Sequence, residues 1–482
     1  MIRTAALALI LLATPPGVAF AQEAELSAED VRVLAYDLAN AGDLGRAAEL
    51  GEALLERDPD DVAALLLLAL ISSDTGQTRA SIGYAQRAFA AAEREEDRFL
   101  GARLAANGHA ELEQDTRAQF WLRLAREYAP TEAAAVEVAE DYRFLRQRNP
   151  WSTQLRFGVT PTNNINNGSS SDTFLLFGQL ETGLNNEARA LSGLSISAGA
   201  TTRYRLHEEA RSITHADVTF DGTTFVLSPE SKDRLEEDRQ ARIEDRLDAC
   251  TAAGVDPSEC NLDEPPVPGG SDFSYATLSF GITHLRILSE GWRPTTFGLR
   301  YGQTWYGGDP YSTFLIGTLA QDWQVSETSE VSATLSLERR AFEEDRPGSK
   351  AAGLTGRWTT ALPSGDVLSL SAGARRSLSD VGSQQYRTLS LGADYQLSEP
   401  VAGVGLGFAV GLERDYDYDF DILYGASRVD TTLTGRIEGE FYEYEYFGFR
   451  PVASLEARIT ESNVDRFDQE TLGVGLNLRS SF

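Results

Sequence analysis

Leu472-Gly473-Val474-Gly475-Leu476-Asn477-Leu478-Arg479-Ser480-Ser481-Phe482 alternates apolar residues with small or polar ones, and its last residue is aromatic and in phase with the apolar face. A period of two marks a β-strand whose two faces meet different surroundings. The same alternation recurs back to Trp151. Phe297, Leu299, Tyr301 and Trp305 share one face, and Gly298, Arg300, Gly302 and Thr304 the other. Val331, Ala333, Leu335 and Leu337 oppose Ser332, Thr334, Ser336 and Glu338. Leu406, Phe408, Val410 and Leu412 oppose Gly405, Gly407, Ala409, Gly411 and Glu413. A soluble sandwich turns such apolar faces inward, whereas a membrane barrel turns them to lipid and lines its lumen with the polar face.

Four features select the barrel. The runs are long, as a tilted spanning strand requires. Aromatics gather near run ends, at Tyr301, Trp305, Tyr306, Phe441, Tyr442 and Tyr446. Connections alternate between short and long. The terminal strand, with Phe482 last, resembles the insertion signal of bacterial outer-membrane barrels. Fourteen strands are predicted, at 152–159, 188–207, 212–226, 271–287, 293–306, 312–324, 329–342, 350–362, 365–378, 384–397, 401–415, 429–442, 447–460 and 469–482. The number is even, as single-chain bacterial barrels require. Residues 172–183 stay in the first loop. The largest connection, about 227–270, is an extracellular insert. Its charge-dense stretch from Lys232 to Asp248 spaces Leu235, Ile243 and Leu247 for a short helix, and Cys250 with Cys260 is read as a disulfide closing a small loop. That pairing suits an oxidising compartment, and the CxxC spacing of a redox site is absent.

The N-terminal third reads differently. Residues 1–21 have the layout of a cleaved signal peptide: Arg3, an apolar stretch from Ala5 to Leu12, and Ala19-Phe20-Ala21 at the cleavage site. Residues 22–148 are rich in Ala, Leu, Glu and Arg. Ala41-Gly42-Asp43-Leu44, Ala47, Leu54-Leu55 and Asp58-Pro59 have the layout of a tetratricopeptide repeat, and Gly76 follows Gly42 by 34 residues, the repeat period. Ala118 and Pro130 repeat the spacing of Ala47 and Pro59 in a looser third pair. Stacked repeats present a concave surface suited to protein segments. Asn149-Pro150 marks the change of regime, since the residue before proline is pushed out of the helical region. The expected class is therefore α+β multidomain: an N-terminal α-helical solenoid of tetratricopeptide type at 22–148, placed in the periplasm, then a 14-stranded antiparallel transmembrane β-barrel at 149–482.

Composition excludes several functions. The 482 residues carry 73 acidic and 43 basic side chains, a formal charge of -30, which repels nucleic-acid phosphate. Four His and two Cys leave little material for a metal site, and no cofactor is expected. No serine elbow or metal-binding spacing occurs, so no enzyme activity is expected. Acid pairs such as Glu438 and Glu440 share a face, but alternation makes such pairs common. Arg300, Glu338, Arg375, Glu413, Arg436, Glu438 and Glu440 fall on lumen faces and suit a ladder of cross-bracing charges that could guide an unfolded chain.

A cleaved signal, a short tetratricopeptide-like domain, Asn149-Pro150-Trp151, the segment Thr160-Pro161-Thr162-Asn163-Asn164-Ile165-Asn166-Asn167 and a fourteen-stranded barrel together resemble the surface lipoprotein assembly modulator family. The resemblance implies an outer-membrane translocator that exports or displays lipoproteins, or soluble relatives, across the Gram-negative outer membrane. It implies as partners a cargo ending in a small β-barrel domain, periplasmic chaperones and the barrel assembly machinery. It implies no catalytic residue. Pro161, Asn163, Asn164, Asn166 and Asn167 are read first as loop-shaping residues, because asparagine bonds nearby backbone and tolerates left-handed conformations, and second as cargo contacts. A polysaccharide export porin and a passive diffusion porin are the alternatives. The first ordinarily carries more repeats, and the second leaves the repeats without purpose.

Overall fold

The computed structural model describes residues 26–343, 346–381, 384–416, 418–444 and 449–480. Residues 1–21, the expected signal peptide, and Phe482, the expected insertion signal, lie outside the described residues. Two compact units divide between Asp141 and Tyr142.

The first unit begins with three pairs of helices: α1 (Ala28–Asn40) with α2 (Leu44–Arg57), α3 (Val62–Asp74) with α4 (Thr78–Ala91), and α5 (Glu95–Glu111) with α6 (Asp115–Glu127). The first three starts have a local cause, whereas α4, α5 and α6 begin without a side-chain cap. Ser27 and Asp30 form a capping box on α1, Asp43 accepts from the Arg46 amide, and Asp61 accepts from the Ala64 amide. Gly42 and Gly76 sit at φ 86° and 73° in the turns within the first two pairs, where the left-handed backbone favours glycine. The third pair turns instead at Glu113, with φ 57°. Helix α3 is apolar all round because it is enclosed: Leu65 and Leu67 are buried, each contributing roughly 1.5–3 kcal/mol. Gly101 lets α5 lie against α4, where an added Cβ would stand 3.0 Å from the Ala85 carbonyl oxygen. The seventh helix, α7 (Glu132–Arg148), crosses the division between the units.

The second unit is a closed barrel of fourteen strands, each antiparallel to its neighbours. In chain order these are β1 (Trp151–Thr162), β4 (Gly193–Glu209), β5 (Ser212–Leu227), β6 (Tyr275–Arg286), β7 (Thr295–Tyr306), β8 (Asp309–Gln324) and β9 (Ser329–Phe342). They continue with β10 (Ser349–Ala361), β11 (Val367–Ser379), β12 (Tyr386–Gln396), β13 (Val404–Tyr416), β16 (Asp430–Phe441), β17 (Phe449–Ser462) and β18 (Gln469–Ser480). Two small hairpins lie in the connections: β2 (Thr173–Leu176) with β3 (Leu180–Gly183), and β14 (Phe420–Asp421) with β15 (Ala426–Ser427). The first occupies the stretch kept in the loop by the sequence reading, and it is not part of the barrel wall.

The faces follow the alternation. Leu391, Val474 and Leu476 point outward and are 60, 58 and 57 % exposed. Such an apolar outer surface is tolerable only in lipid, so the barrel is of the membrane-spanning kind. Outward-facing aromatics lie near both ends of this belt: Trp151, Tyr204, Trp323 and Trp358 near one, Trp305 near the other, while Tyr275 and Tyr306 pair on the lumen side. The start of β1 lies at the short-turn end, where Ala210-Arg211 links β4 to β5. The opposite end carries the loop 163–192, the insert and the β13–β16 connection. Among the odd-numbered connections the link from β7 to β8 is an exception, made by Gly307-Gly308 alone, both at positive φ.

Candidate functional site: the charged lumen and its outer loops

Lumen charges are paired along the wall, mostly to strands one or two places away. The Arg300 guanidinium lies 2.7 Å from the Asp217 carboxylate and donates to Ser279 at 2.9 Å. Glu338 receives Arg340 at 3.0 Å and Arg375 at 2.9 Å, tying β9 to β11 over β10. Arg436 reaches Glu438 at 3.3 Å and Glu456 at 3.0 Å, while Arg479 reaches Glu438 at 3.1 Å and Glu440 at 3.5 Å. Of the seven charges singled out in the sequence, six are thus held in pairs. Glu413 faces the lumen opposite Ser390 and Thr432 and makes no ion pair among the described residues.

Several partners escaped the sequence reading. Asp217, Asp221, Arg156, Arg340, Arg357 and Asp394 all point inward, with Arg156 2.7 Å from Asp221 and Arg357 3.1 Å from Asp394. The signal was present: Asp217, Thr219 and Asp221 alternate with Val218 and Phe220. Charges of both signs that neutralise one another leave a lumen that is polar without a single-sign field.

The Asn-rich segment after β1 is stitched into the loop beside it. Asn163 Oδ1 accepts from the Leu472 amide at 2.8 Å. Asn164 exchanges two hydrogen bonds of 2.9 Å with the backbone of Gly168. Asn166 donates to the Glu187 and Arg189 carbonyls at 3.0 and 2.8 Å and accepts from the Leu191 amide at 3.0 Å. Asn167 is left-handed at φ 51°, and its carbonyl accepts from Gln469 at 2.7 Å. The side-chain amides of Asn163, Asn164 and Asn166 satisfy backbone that an irregular loop would leave unpaired, and Asn167 supplies the left-handed turn, the work asparagine does in loops.

The insert is more ordered than a solvated loop. Its helix, α8 (Pro229–Ala252), runs 24 residues, longer than the stretch from Lys232 to Asp248. Ser228 caps it, with proline in the first turn. Leu235 packs with Ile165, Leu191 and Leu227 in a buried cluster, which joins the insert to the Asn-rich loop. Asn186 donates to Asp238 at 2.7 Å across the same contact. Cys250 and Cys260 form the disulfide, closing the stretch after α8, and Arg242 and Arg246 converge on the buried Glu264.

A second outer cluster had no sequence signal. Arg428 lies 4.1 Å from the ring centres of both Tyr418 and Phe467 and 3.0 Å from Asp430. Burial pushes the Tyr418 phenol up to about 12, against the pull of the adjacent guanidinium. Tyr418 and Arg428 lie in the β13–β16 connection and Phe467 in the β17–β18 connection, so no local spacing announces the cluster. Among the described residues no cluster of His, Cys, Asp and Glu could hold a metal ion.

No family model matches the chain, and no curated protein matches it. Solved structures do show likenesses. The helical part resembles the type III secretion translocator chaperone SycD of Yersinia enterocolitica, at 18 % identity over 27 % of this chain and 91 % of that one, with a TM-score of 0.24. OprB of Pseudomonas putida is matched at 11 % identity over 72 % of this chain and 97 % of that one, TM-score 0.36. A bacterial polysaccharide outer membrane secretin is matched at 9 % identity over 68 % of this chain and 98 % of that one, TM-score 0.34.

Proposed function

We propose that this chain is an outer-membrane translocator that exports or displays surface lipoproteins, or related secreted proteins, with its helical unit in the periplasm. The observation that carries the reading is the pairing of a short repeat stack with a barrel in one chain, α7 ending at Arg148 and β1 beginning at Trp151. A passive pore has no use for such a stack, whereas a stack of this type holds protein segments. In this reading the repeats take cargo, or a chaperone carrying it, and the cargo crosses unfolded and folds outside. No nucleotide motif is present, so the driving force is cargo folding or release from the chaperone. The self-neutralised lumen suits a chain of mixed charge better than a polyanion.

Surface display tests this. A candidate cargo is expressed in a Gram-negative host with and without this protein, and its accessibility to protease is measured on intact cells. Display only in the presence of the barrel supports the reading, and deletion of residues 26–141 then abolishes display while the barrel still inserts. Unchanged accessibility with an inserted barrel removes it, and sugar export and ion conductance become the measurements to make.

A further inference from the structure

The barrel closes unevenly. β1 is in register with β4 at every residue from Trp151 to Thr162. Towards β18 the register holds at Phe157↔Leu478, Gly158↔Asn477 and Val159↔Leu476, skips Thr160 and Pro161, and resumes at Thr162↔Gly473.

The gap has a cause in the sequence. Successive residues of a strand direct their backbone groups to alternate neighbours. The Pro150 carbonyl accepts from the Arg205 amide at 2.8 Å, so even-numbered residues of this segment face β4 and odd-numbered ones face β18. The Asn163 amide obeys the rule, donating to the Leu472 carbonyl at 3.4 Å. Pro161 is odd. Its ring nitrogen has no hydrogen, and the missing donor therefore falls on the β18 side.

Charge weakens the same seam. The register that sets Phe157 opposite Leu478 sets Arg156 opposite Arg479, both on the lumen side, and like charges opposed across a ladder repel. Arg156 turns away to Asp221, and Arg479 turns away to Glu438 and Glu440. Among the described residues no ion pair crosses between β1 and β18. On the lipid side the seam's outer end adjoins an apolar hollow of about 580 Å³, lined by Pro161, Gly193, Leu194, Val226, Leu472 and Val474.

We propose that the β1–β18 seam is a lateral exit, through which cargo leaves the lumen with its hydrocarbon-bearing end directed into lipid. The inference rests on the translocator reading above. A hydrocarbon anchor gains nothing in a lumen lined by paired charges, and it must reach the bilayer without crossing water. A wall that parts at a ladder interrupted at Thr160 and Pro161 lets it do so.

The test is a reversible lock. Gly158→Cys with Asn477→Cys places two thiols at paired positions across the seam. Ser197→Cys with Thr223→Cys does the same between β4 and β5 and serves as the control. We expect oxidation of the first pair to cut surface display about tenfold or more, reductant to restore it, and the control pair to have no effect. Equal display by the oxidised and reduced seam variant overturns the exit, and so does equal loss in the control. A measurement without cargo separates this from the function itself. In the intact protein in lipid vesicles, the Val474 and Leu476 amides, which face β1, should exchange hydrogen about tenfold faster than those of Gly475 and Asn477, which face β17. Equal protection overturns the seam. If the reduced protein displays no cargo at all, the translocator reading fails and the exchange rates alone decide whether the seam opens.

Discussion

Gly168 shows how little room the Asn-rich loop leaves at the scale of one residue. A Cβ there would stand 2.3 Å from the Arg189 carbonyl oxygen, which belongs to backbone and cannot swing aside. Gly168→Ala is expected to displace the loop and cost about 1–3 kcal/mol, read as faster protease nicking between residues 163 and 192. Asp61 offers the matching case in the helical unit. Its buried carboxylate would be pushed up by burial, but hydrogen bonds from Arg32 and the Ala64 amide win and hold it below the ordinary range. A lowered folded-state pKa contributes stability above the unfolded value that is lost as pH falls through the folded one. Acid titration below the usual carboxylate range should therefore lower the melting temperature of the helical signal, and Asp61→Asn should flatten that slope. Both residues lie in sequence patterns that are readable, the Asn-rich segment and the Asp-x-x-Ala start of α3. What they touch is not readable, because Arg189 and Arg32 are distant in sequence.

Among the elements, the third helical pair explains why its repeat read as loose. Its turn lies at Glu113, 37 residues after Gly76 by numbering, and helix α5 is 17 residues long against 13 for α1 and α3. Without a glycine the turn gives no signal. Replacing Glu113 by glycine should relieve the left-handed backbone and stabilise the pair by about 1 kcal/mol, measured as a rise in the thermal midpoint of the ellipticity at the helix band. The strands were easier to read. All fourteen were visible because alternation is forced on any wall with lipid on one side and water on the other. Their ends shifted by a few residues where a ladder continues past the apolar run, as in β1 through Thr162. The insert helix was visible as a charge-dense stretch, but its length was hidden, because only Leu235 of its apolar residues is buried. Reduction of Cys250–Cys260 should leave the barrel closed and speed amide exchange only in the last turns of α8 and the stretch to Cys260.

For the whole molecule, the paired charges are what an ion entering the lumen would meet. Glu338→Gln leaves Arg340 and Arg375 without their shared carboxylate. In planar bilayers the variant should shift ion selectivity toward anions, with the barrel's mobility on gels unchanged; unchanged selectivity would mean that this pair lies outside the conducting path. The lumen pairs were half visible in advance. Period-two alternation says which charges face inward, but pairing depends on strand register and on contacts across an intervening strand, which no single stretch of sequence encodes. The order of the strands has a further consequence, for synthesis. Nearly every ladder in the wall joins strands that follow one another along the chain, so a ribosome delivers them in pairs. The ladder between β1 and β18 joins the first strand made to the last. Until β18 has been translated and delivered, the sheet carries two raw edges, each able to pair with another nascent chain. Forming that one ladder removes both edges at once, so closure of the wall is a single event rather than a gradual one.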